Sequence, residues 1–242
     1  MIVIILAAGK GSRLYPFTKS IPKCLVTYKK KPILNYQLKI FKKLKLKNIY
    51  LISGYKSKKI INKNIIKVKN RSYKTTNMIY SLFRLKKLFN GKEDILISYG
   101  DIIYKENVLS KLIKNKDNLS TVVDVKWYKY WKKRMQNPLL DAESLVLDKK
   151  KFIVDIGRKV KSLKKIQGQY IGLTKISKNI SIDVLKIWKN LYKSKKNTKY
   201  VNNLYFTDFF RILIKKQYPI KAVLVKRGWL EFDTKKDLKI NF

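Results

Sequence analysis

Two glycines, an arginine and a lysine near the start of the chain are spaced in a way that suits phosphate. The run Leu6-Ala7-Ala8-Gly9-Lys10-Gly11-Ser12-Arg13-Leu14 is followed by Pro22 and Lys23. Glycines at 9 and 11 let the backbone approach a polyphosphate and aim successive N–H groups at it, while Arg13 and Lys23 add fixed positive charge. A dehydrogenase fingerprint fails, because Leu14 stands where a third glycine would be needed and Lys29, Lys30 and Lys31 lie about 20 residues on, where an acid belongs. No Gly-Lys-Ser/Thr run completes a Walker A loop either. The chain has no histidine and one cysteine, Cys24, so Cys/His zinc sites, Ser-His and Cys-His pairs and an intramolecular disulfide are excluded. The chemistry must rest on carboxylates, lysines, arginines, hydroxyls and a hard metal. Cys24 reads as a small buried side chain.

These groups need elements to place them. Ile2 to Ala7 is a continuous apolar run and predicts a buried, central strand feeding the glycine loop. Ile33, Leu34, Leu38, Phe41 and Leu44 fall at helical spacing within Pro32 to Leu46, and a strand follows at Asn48 to Ser53, giving a β-loop-α-β start. A short strand is expected at Ile65 to Val68. Asn77 can cap a helix carrying Ile79, Leu82, Phe83, Leu85 and Leu88. The strand Asp94 to Ser98 stops at Tyr99-Gly100-Asp101, which puts an acid at a strand's carboxyl end, where open α/β sheets bind ligands. Asn77 and Ser81 lie one helical turn apart and face the same way, suited to a base edge or a ribose, with Asn70 and Tyr73 as weaker members of the same loop.

The second half predicts strands at Ser120 to Val125, Ser144 to Leu147, Phe152 to Ile156 and Gln169 to Ile176, and helices at Ile180 to Tyr192 and Leu204 to Lys216. Strands Ile220 to Val225 and Trp229 to Phe232 precede a last helical turn that Asp233 could cap and that contains Asp237. The expected fold class is α/β: a Rossmann-like, mixed but mainly parallel sheet flanked by helices. With no repeat, linker or low-complexity tract, residues 1–242 read as one domain.

Lysine and arginine number 58 against 15 acids, a formal charge of +43, yet 45% of residues are hydrophobic, which excludes disorder as the dominant state. Only 7 of the cations are arginines, and the lysines are dispersed, unlike a dedicated nucleic-acid surface. No specific nucleic acid is expected as a partner. No apolar run is long enough to span a membrane, and a cytoplasmic location is expected.

Taken whole, LAAGKGSRLYPFTKSIPKCL closely resembles the signature of the nucleotidyltransferase superfamily that makes nucleotide-activated sugars, cholines and phosphonates. TNMIYSL (76–82), ISYGDIIY (97–104), NPLLDAESL (137–145), GQYIGL (168–173) and WLEFDTKKDL (229–238) resemble the branch that couples CTP to phosphocholine, phosphonates or similar phosphorylated small molecules. The resemblance implies that Leu6, Ala7, Ala8, Gly9, Gly11 and Ser12 cradle the nucleotide, with Arg13 and Lys23 as catalytic cations. It implies that Asp101 and Asp233 hold Mg²⁺, with Glu231 beside them, and that Asn77 and Ser81 serve the base or ribose. Which donor or acceptor separates a cytosine amino group from a uracil carbonyl is left open. The acceptor half gathers Lys126, Trp127, Trp131, Arg134, Asp141, Glu143, Lys159, Gln169 and Tyr170, where an aromatic face beside carboxylates would suit an ammonium head and the cations its phosphate.

The implied reaction has an acceptor phosphate or phosphonate oxygen attack the α-phosphorus of CTP with loss of pyrophosphate, needing no histidine because the nucleophile is already an anion. The partners are CTP and a small phosphorylated or phosphonate substrate, and a homodimer is the most the resemblance suggests about assembly. Two alternatives stand beside it: a sugar-1-phosphate nucleotidyltransferase using UTP or dTTP, and a polyanion-binding protein on a transferase fold.

Overall fold

The computed structural model describes residues 1–193 and 198–241. The first half runs β1 (Ile2–Ala7), α1 (Ile33–Lys43), β2 (Asn48–Ser53), β3 (Ile66–Lys69), α2 (Met78–Leu82), β4 (Ile95–Tyr99), β5 (Ile102–Tyr104) and α3 (Glu106–Lys114). The second runs β6 (Leu119–Asp124), α4 (Trp127–Arg134), β7 (Glu143–Leu147), β8 (Ile153–Lys159), β9 (Gln169–Ile176), α5 (Lys178–Lys193), α6 (Thr198–Asn202), α7 (Phe206–Lys215), β10 (Lys221–Val225) and β11 (Trp229–Glu231). Seven strands form one sheet in the order β10-β6-β9-β4-β1-β2-β3. Only β9 runs against its neighbours, so the sheet is mixed and mainly parallel, as expected from the sequence.

Strand period sorts the core. On β1, Val3 and Ile5 face one layer with Phe41 of α1 and the tryptophans of α4, whereas Ile2 and Ile4 face the other with Phe206, Phe209 and Phe210 of α7. Both faces of β1 are covered, which is why its sequence is continuously apolar rather than alternating.

Two pairings bring distant carboxylates together. β1 and β4 are parallel neighbours with Leu6 opposite Tyr99, so the glycine loop and Asp101 leave the sheet side by side. β11 pairs antiparallel with β5, Glu231 opposite Ile102, and the Phe232 N–H donates to the Asp101 carbonyl at 3.0 Å. Behind this junction Gln37 of α1 is fully buried: its Nε2 donates to the carbonyls of Tyr99 and Ile102, each at 2.7 Å, and its Oε1 accepts from the Ser98 hydroxyl at 3.0 Å.

Differences from the sequence reading cluster where aromatic or polar side chains obscure the period. α3 was not expected, although Val108, Leu109 and Leu112 bury one of its faces. α4 buries Trp127, Tyr130, Trp131 and Arg134 at helical spacing. The helix expected to follow Asn77 ends at Leu82 and continues as 3₁₀ turns to Leu88, with Leu85 off helical geometry. Gln37→Leu would remove three hydrogen bonds from the core and strip the Ile102 and Tyr99 carbonyls of their amide donor; a loss of about 2 to 4 kcal/mol in chemical denaturation is expected, and unchanged stability would show that Gln37 braces nothing.

Candidate active site

A cleft of about 380 Å³ opens at the carboxyl ends of β1 and β4. Leu6 to Gly9, Gly11, Ser12 and Arg13 line one wall, and Tyr73, Thr76, Asn77, Met78 and Ser81 another. Lys23, Asp101, Glu231 and Asp233 also border it. This is the switch point of the sheet, with β1 flanked by β2 on one side and β4 on the other, where α/β folds bind ligands.

The glycine loop is shaped by what it must avoid. Gly11 has φ +65°, and a Cβ there would sit 2.9 Å from the Cβ of Lys23, so a side chain would both strain the turn and displace the lysine. Gly9 has nothing within 4 Å of where its Cβ would be, leaving its backbone open to the cleft. The Thr18 hydroxyl pins the loop by donating to the Gly11 carbonyl at 2.9 Å.

Lys23 stands between two carboxylates, donating to Asp101 Oδ2 at 2.5 Å and to Asp233 Oδ1. Burial alone would lower the pKa of its ammonium; Asp101, Asp233 and Glu231 more than offset that, and the net shift is upward. Asp233 titrates below the usual carboxylate range, because the neighbouring Lys23, Arg13 and Arg134 outweigh its burial. Glu231 goes the other way: burial, reinforced by Asp233 and Asp101, outweighs the pull of Arg134 and Lys23. Arg13 reaches in from the surface to Asp233 Oδ2 at 2.9 Å.

Asp101, Glu231 and Asp233 each offer an oxygen within 4.8 Å of the others. Asp101 Oδ1 is buried and has no hydrogen-bond partner among the described residues. An all-oxygen set with one unsatisfied buried carboxylate oxygen fits a hard divalent cation.

Nearly every residue expected to serve the nucleotide is brought to this cleft, together with the three acids. Tyr99, Gly100, Thr76 and Met78 join them without having been singled out as site residues. Asn77 both lines the cleft and caps α2, its Oδ1 accepting from the Met78 N–H at 2.9 Å. Asp233 does not cap the last turn; instead Asp237 accepts from the N–H groups of Asp233 and Thr234, at 2.8 and 2.7 Å. Cys24 is buried, as expected, and burial pushes its thiol up to about 12.

The acceptor residues fare differently, and none lines the cleft. Trp127 and Trp131 are each 4% exposed and pack in the core, so neither offers a ring to a ligand. Trp131 Nε1 donates to Asp141 at 3.0 Å. Arg134 is buried and serves the acids instead, donating to Glu231 Oε2 at 2.6 Å and to Asp237 Oδ1 at 3.0 Å, with Asp233 at 3.7 Å. Lying next to Lys132 and Lys133, it reads in the sequence as one more cation, and α4 carries it to partners about a hundred residues away. Lys126 and Lys159 are exposed, and Gln169 is buried with its amide donating to the carbonyls of Glu143 and Gly168. Tyr170 packs edge-on against Tyr99, ring centroids 5.6 Å apart. Glu143 is half-buried and makes no ion pair among the described residues, and burial raises its carboxyl above the usual range. No helix among the described residues is long and apolar enough to cross a membrane.

The family model for nucleotidyl transferases matches residues 2–136. CTP:phosphoglutamine cytidylyltransferase of Campylobacter jejuni is 38% identical over 250 residues, covering 99% of this chain and 98% of that protein. Choline-phosphate cytidylyltransferase of Streptococcus pneumoniae is 34% identical over 133 residues, about half of each chain (52% and 53%). Among solved structures, CTP:phosphocholine cytidylyltransferase from Streptococcus pneumoniae superposes with a TM-score of 0.73 at 21% identity, over 98% of this chain and 96% of that one, and shares the fold. With its cleft at the switch point of the sheet and its glycine loop facing three acids, the chain belongs to the nucleotidyl transferase family.

Proposed function

We propose that this nucleotidyltransferase transfers CMP from CTP to a small phosphorylated acceptor and releases pyrophosphate, with residues 1–242 forming a single catalytic domain. The observation that carries the reading is the Lys23 ammonium held between Asp101 and Asp233 at the mouth of the glycine loop. It is supported by end-to-end similarity to a cytidylyltransferase.

An acceptor oxygen forms a bond to the α-phosphorus as the bond from that phosphorus to the bridging oxygen breaks, the electron pair leaving with pyrophosphate. The attacking oxygen is anionic, so no general base is required, in keeping with a chain that lacks histidine. What must be overcome is repulsion between two anions. The loop N–H groups from Gly9 to Ser12 receive the phosphates, Lys23 neutralises charge beside the reacting phosphorus, and Arg13 closes over the outer phosphates from the surface. Asp101, Asp233 and Glu231 would hold Mg²⁺, whose charge neutralises the triphosphate when bound. Arg134 holds Glu231 and, through Asp237, the backbone of Asp233 and Thr234 in place.

On the acceptor side we retain Tyr170 and Glu143, the latter suited to a cationic nitrogen because, although it is hydrogen-bonded to Thr207, it makes no ion pair among the described residues. Trp127, Trp131 and Arg134 are withdrawn from that role. Lysines 126 and 159 and Asp141 sit at the surface, where they can meet only the outer part of an acceptor.

Pyrophosphate release with Mg²⁺ tests the reading, using CTP, UTP, dTTP, ATP and GTP against phosphorylated amino acids including phosphoglutamine, phosphocholine, small phosphonates and sugar-1-phosphates. Release with CTP and one small phosphoryl acceptor is expected. Release only with UTP or dTTP and a sugar phosphate would assign the chain to sugar activation, and no release with any pair would reject the proposal. Lys23→Met and Asp101→Asn should each lower turnover by about 10² to 10³ while the proteins stay folded. Arg134→Met, which strands buried carboxylates, should cost about 3 to 5 kcal/mol of stability, whereas Arg13→Met at the exposed rim should cost under about 1 kcal/mol; equal losses in urea unfolding would contradict the assignment of Arg134 as an internal brace.

A further inference from the structure

Asn70 is fully buried beneath the wall of the cleft that carries Thr76 and Ser81. Its Oδ1 accepts from the backbone N–H of Ser72 at 3.0 Å. A backbone N–H can only donate, so the orientation of the amide is settled: its Nδ2 points the other way and donates to Thr76 Oγ1 and to Ser81 Oγ, both at 3.0 Å. Both amide protons are thereby used.

The consequence passes to the two hydroxyls. Ser81 Oγ must accept from Asn70, and it makes no other hydrogen bond among the described residues, so its proton is left to donate into the cleft. Thr76 Oγ1 accepts from Asn70 and spends its own proton on the Ser72 carbonyl at 2.7 Å, so it can offer the cleft only a lone pair. One wall therefore presents a donor and an acceptor, with polarity fixed from below.

A pyrimidine base reads that polarity. Cytosine carries an acceptor at N3 and a donor at its 4-amino group; uracil carries a donor at N3 and an acceptor at O4. The Ser81 donor and Thr76 acceptor match the first pair and oppose the second, and a site built to pair specific polar edges rejects the wrong partner strongly because its own groups are left unpaired.

Resting on the cytidylyltransferase reading, we infer that Asn70 is the positioning residue that sets preference for CTP over UTP, by orienting the hydroxyls of Thr76 and Ser81. It touches no substrate.

The test is the ratio of kcat/KM for CTP to that for UTP, measured by pyrophosphate release, together with equilibrium binding of each nucleotide by calorimetry. Asn70→Asp keeps the shape but can only accept, so both hydroxyls must turn inward to donate and Ser81 presents a lone pair to the cleft. The CTP:UTP ratio should fall by about tenfold or more in Asn70→Asp, in Ser81→Ala and in Thr76→Val, and Thr76→Ser should restore it. A merely structural role would lower activity with both nucleotides and leave the ratio unmoved. Should Asn70→Asp fail to fold, by thermal melting, Ser81→Ala and the Thr76 pair decide. A wild type that uses CTP, with unchanged ratios in the folded variants, overturns this assignment alone. A wild type that neither turns over nor binds CTP overturns the underlying reading.

Discussion

Three carboxylates converge beside the glycine loop at separations where unscreened repulsion would be severe: at 4.8 Å two such charges repel by about 3 kcal/mol even with an effective dielectric of 20. They stay together because Lys23 lies between Asp101 and Asp233 while Arg134 supports Glu231 from inside. These charges come from opposite ends of the chain. The parallel pairing of β1 with β4 and the antiparallel pairing of β11 with β5 exist on either side of this contact, and each is needed to complete it.

The supporting structure follows from that requirement. Gly11 has to be glycine because the lysine stem packs against it. Asp237, itself only 1% exposed, links Arg134 to the backbone of Asp233 and Thr234. A second buried acid, Asp124 at the end of β6, receives Arg227 Nη1 at 2.6 Å, Trp229 Nε1 at 2.9 Å and the N–H of Lys126 at 2.9 Å, and so ties the start of β11 to the start of α4. The strand that leads to Glu231 and Asp233 and the helix that carries Arg134 both leave from this one anchor. In a chain of +43, acids are scarce, and several of the 15 are spent on building the site.

Legibility in the sequence tracked the range of the interaction. The buried strand β1, its loop and the strand-end Asp101 could be read because local period and residue type carry the signal, and the Glu231-Phe232-Asp233 run through its resemblance to the family signature. Gln37 could not: a polar residue on the apolar face of α1 looks like an interruption until the carbonyls of Tyr99 and Ile102 are found opposite it. Arg134 misled for a related reason. Amid Trp127, Tyr130 and Trp131 it suggests a ligand-binding patch, and only the helical arrangement shows that the aromatic rings bury it and direct it to Glu231 and Asp237. Spacing placed Asn70 only as a weaker member of the base loop; its role beneath Thr76 and Ser81 comes from the direction of their hydrogen bonds, a property that spacing does not encode.

In the proposed function the acids and Lys23 act as one electrostatic unit that gathers a cation and a triphosphate. The most direct measurement is the dissociation constant of CTP with and without Mg²⁺, by calorimetry, for the wild type and for Asp233→Asn. Mg²⁺ is expected to tighten CTP binding to the wild type, and this tightening to be lost in Asp233→Asn; equal Mg²⁺ dependence in both proteins would contradict a role for the acids in gathering the cation.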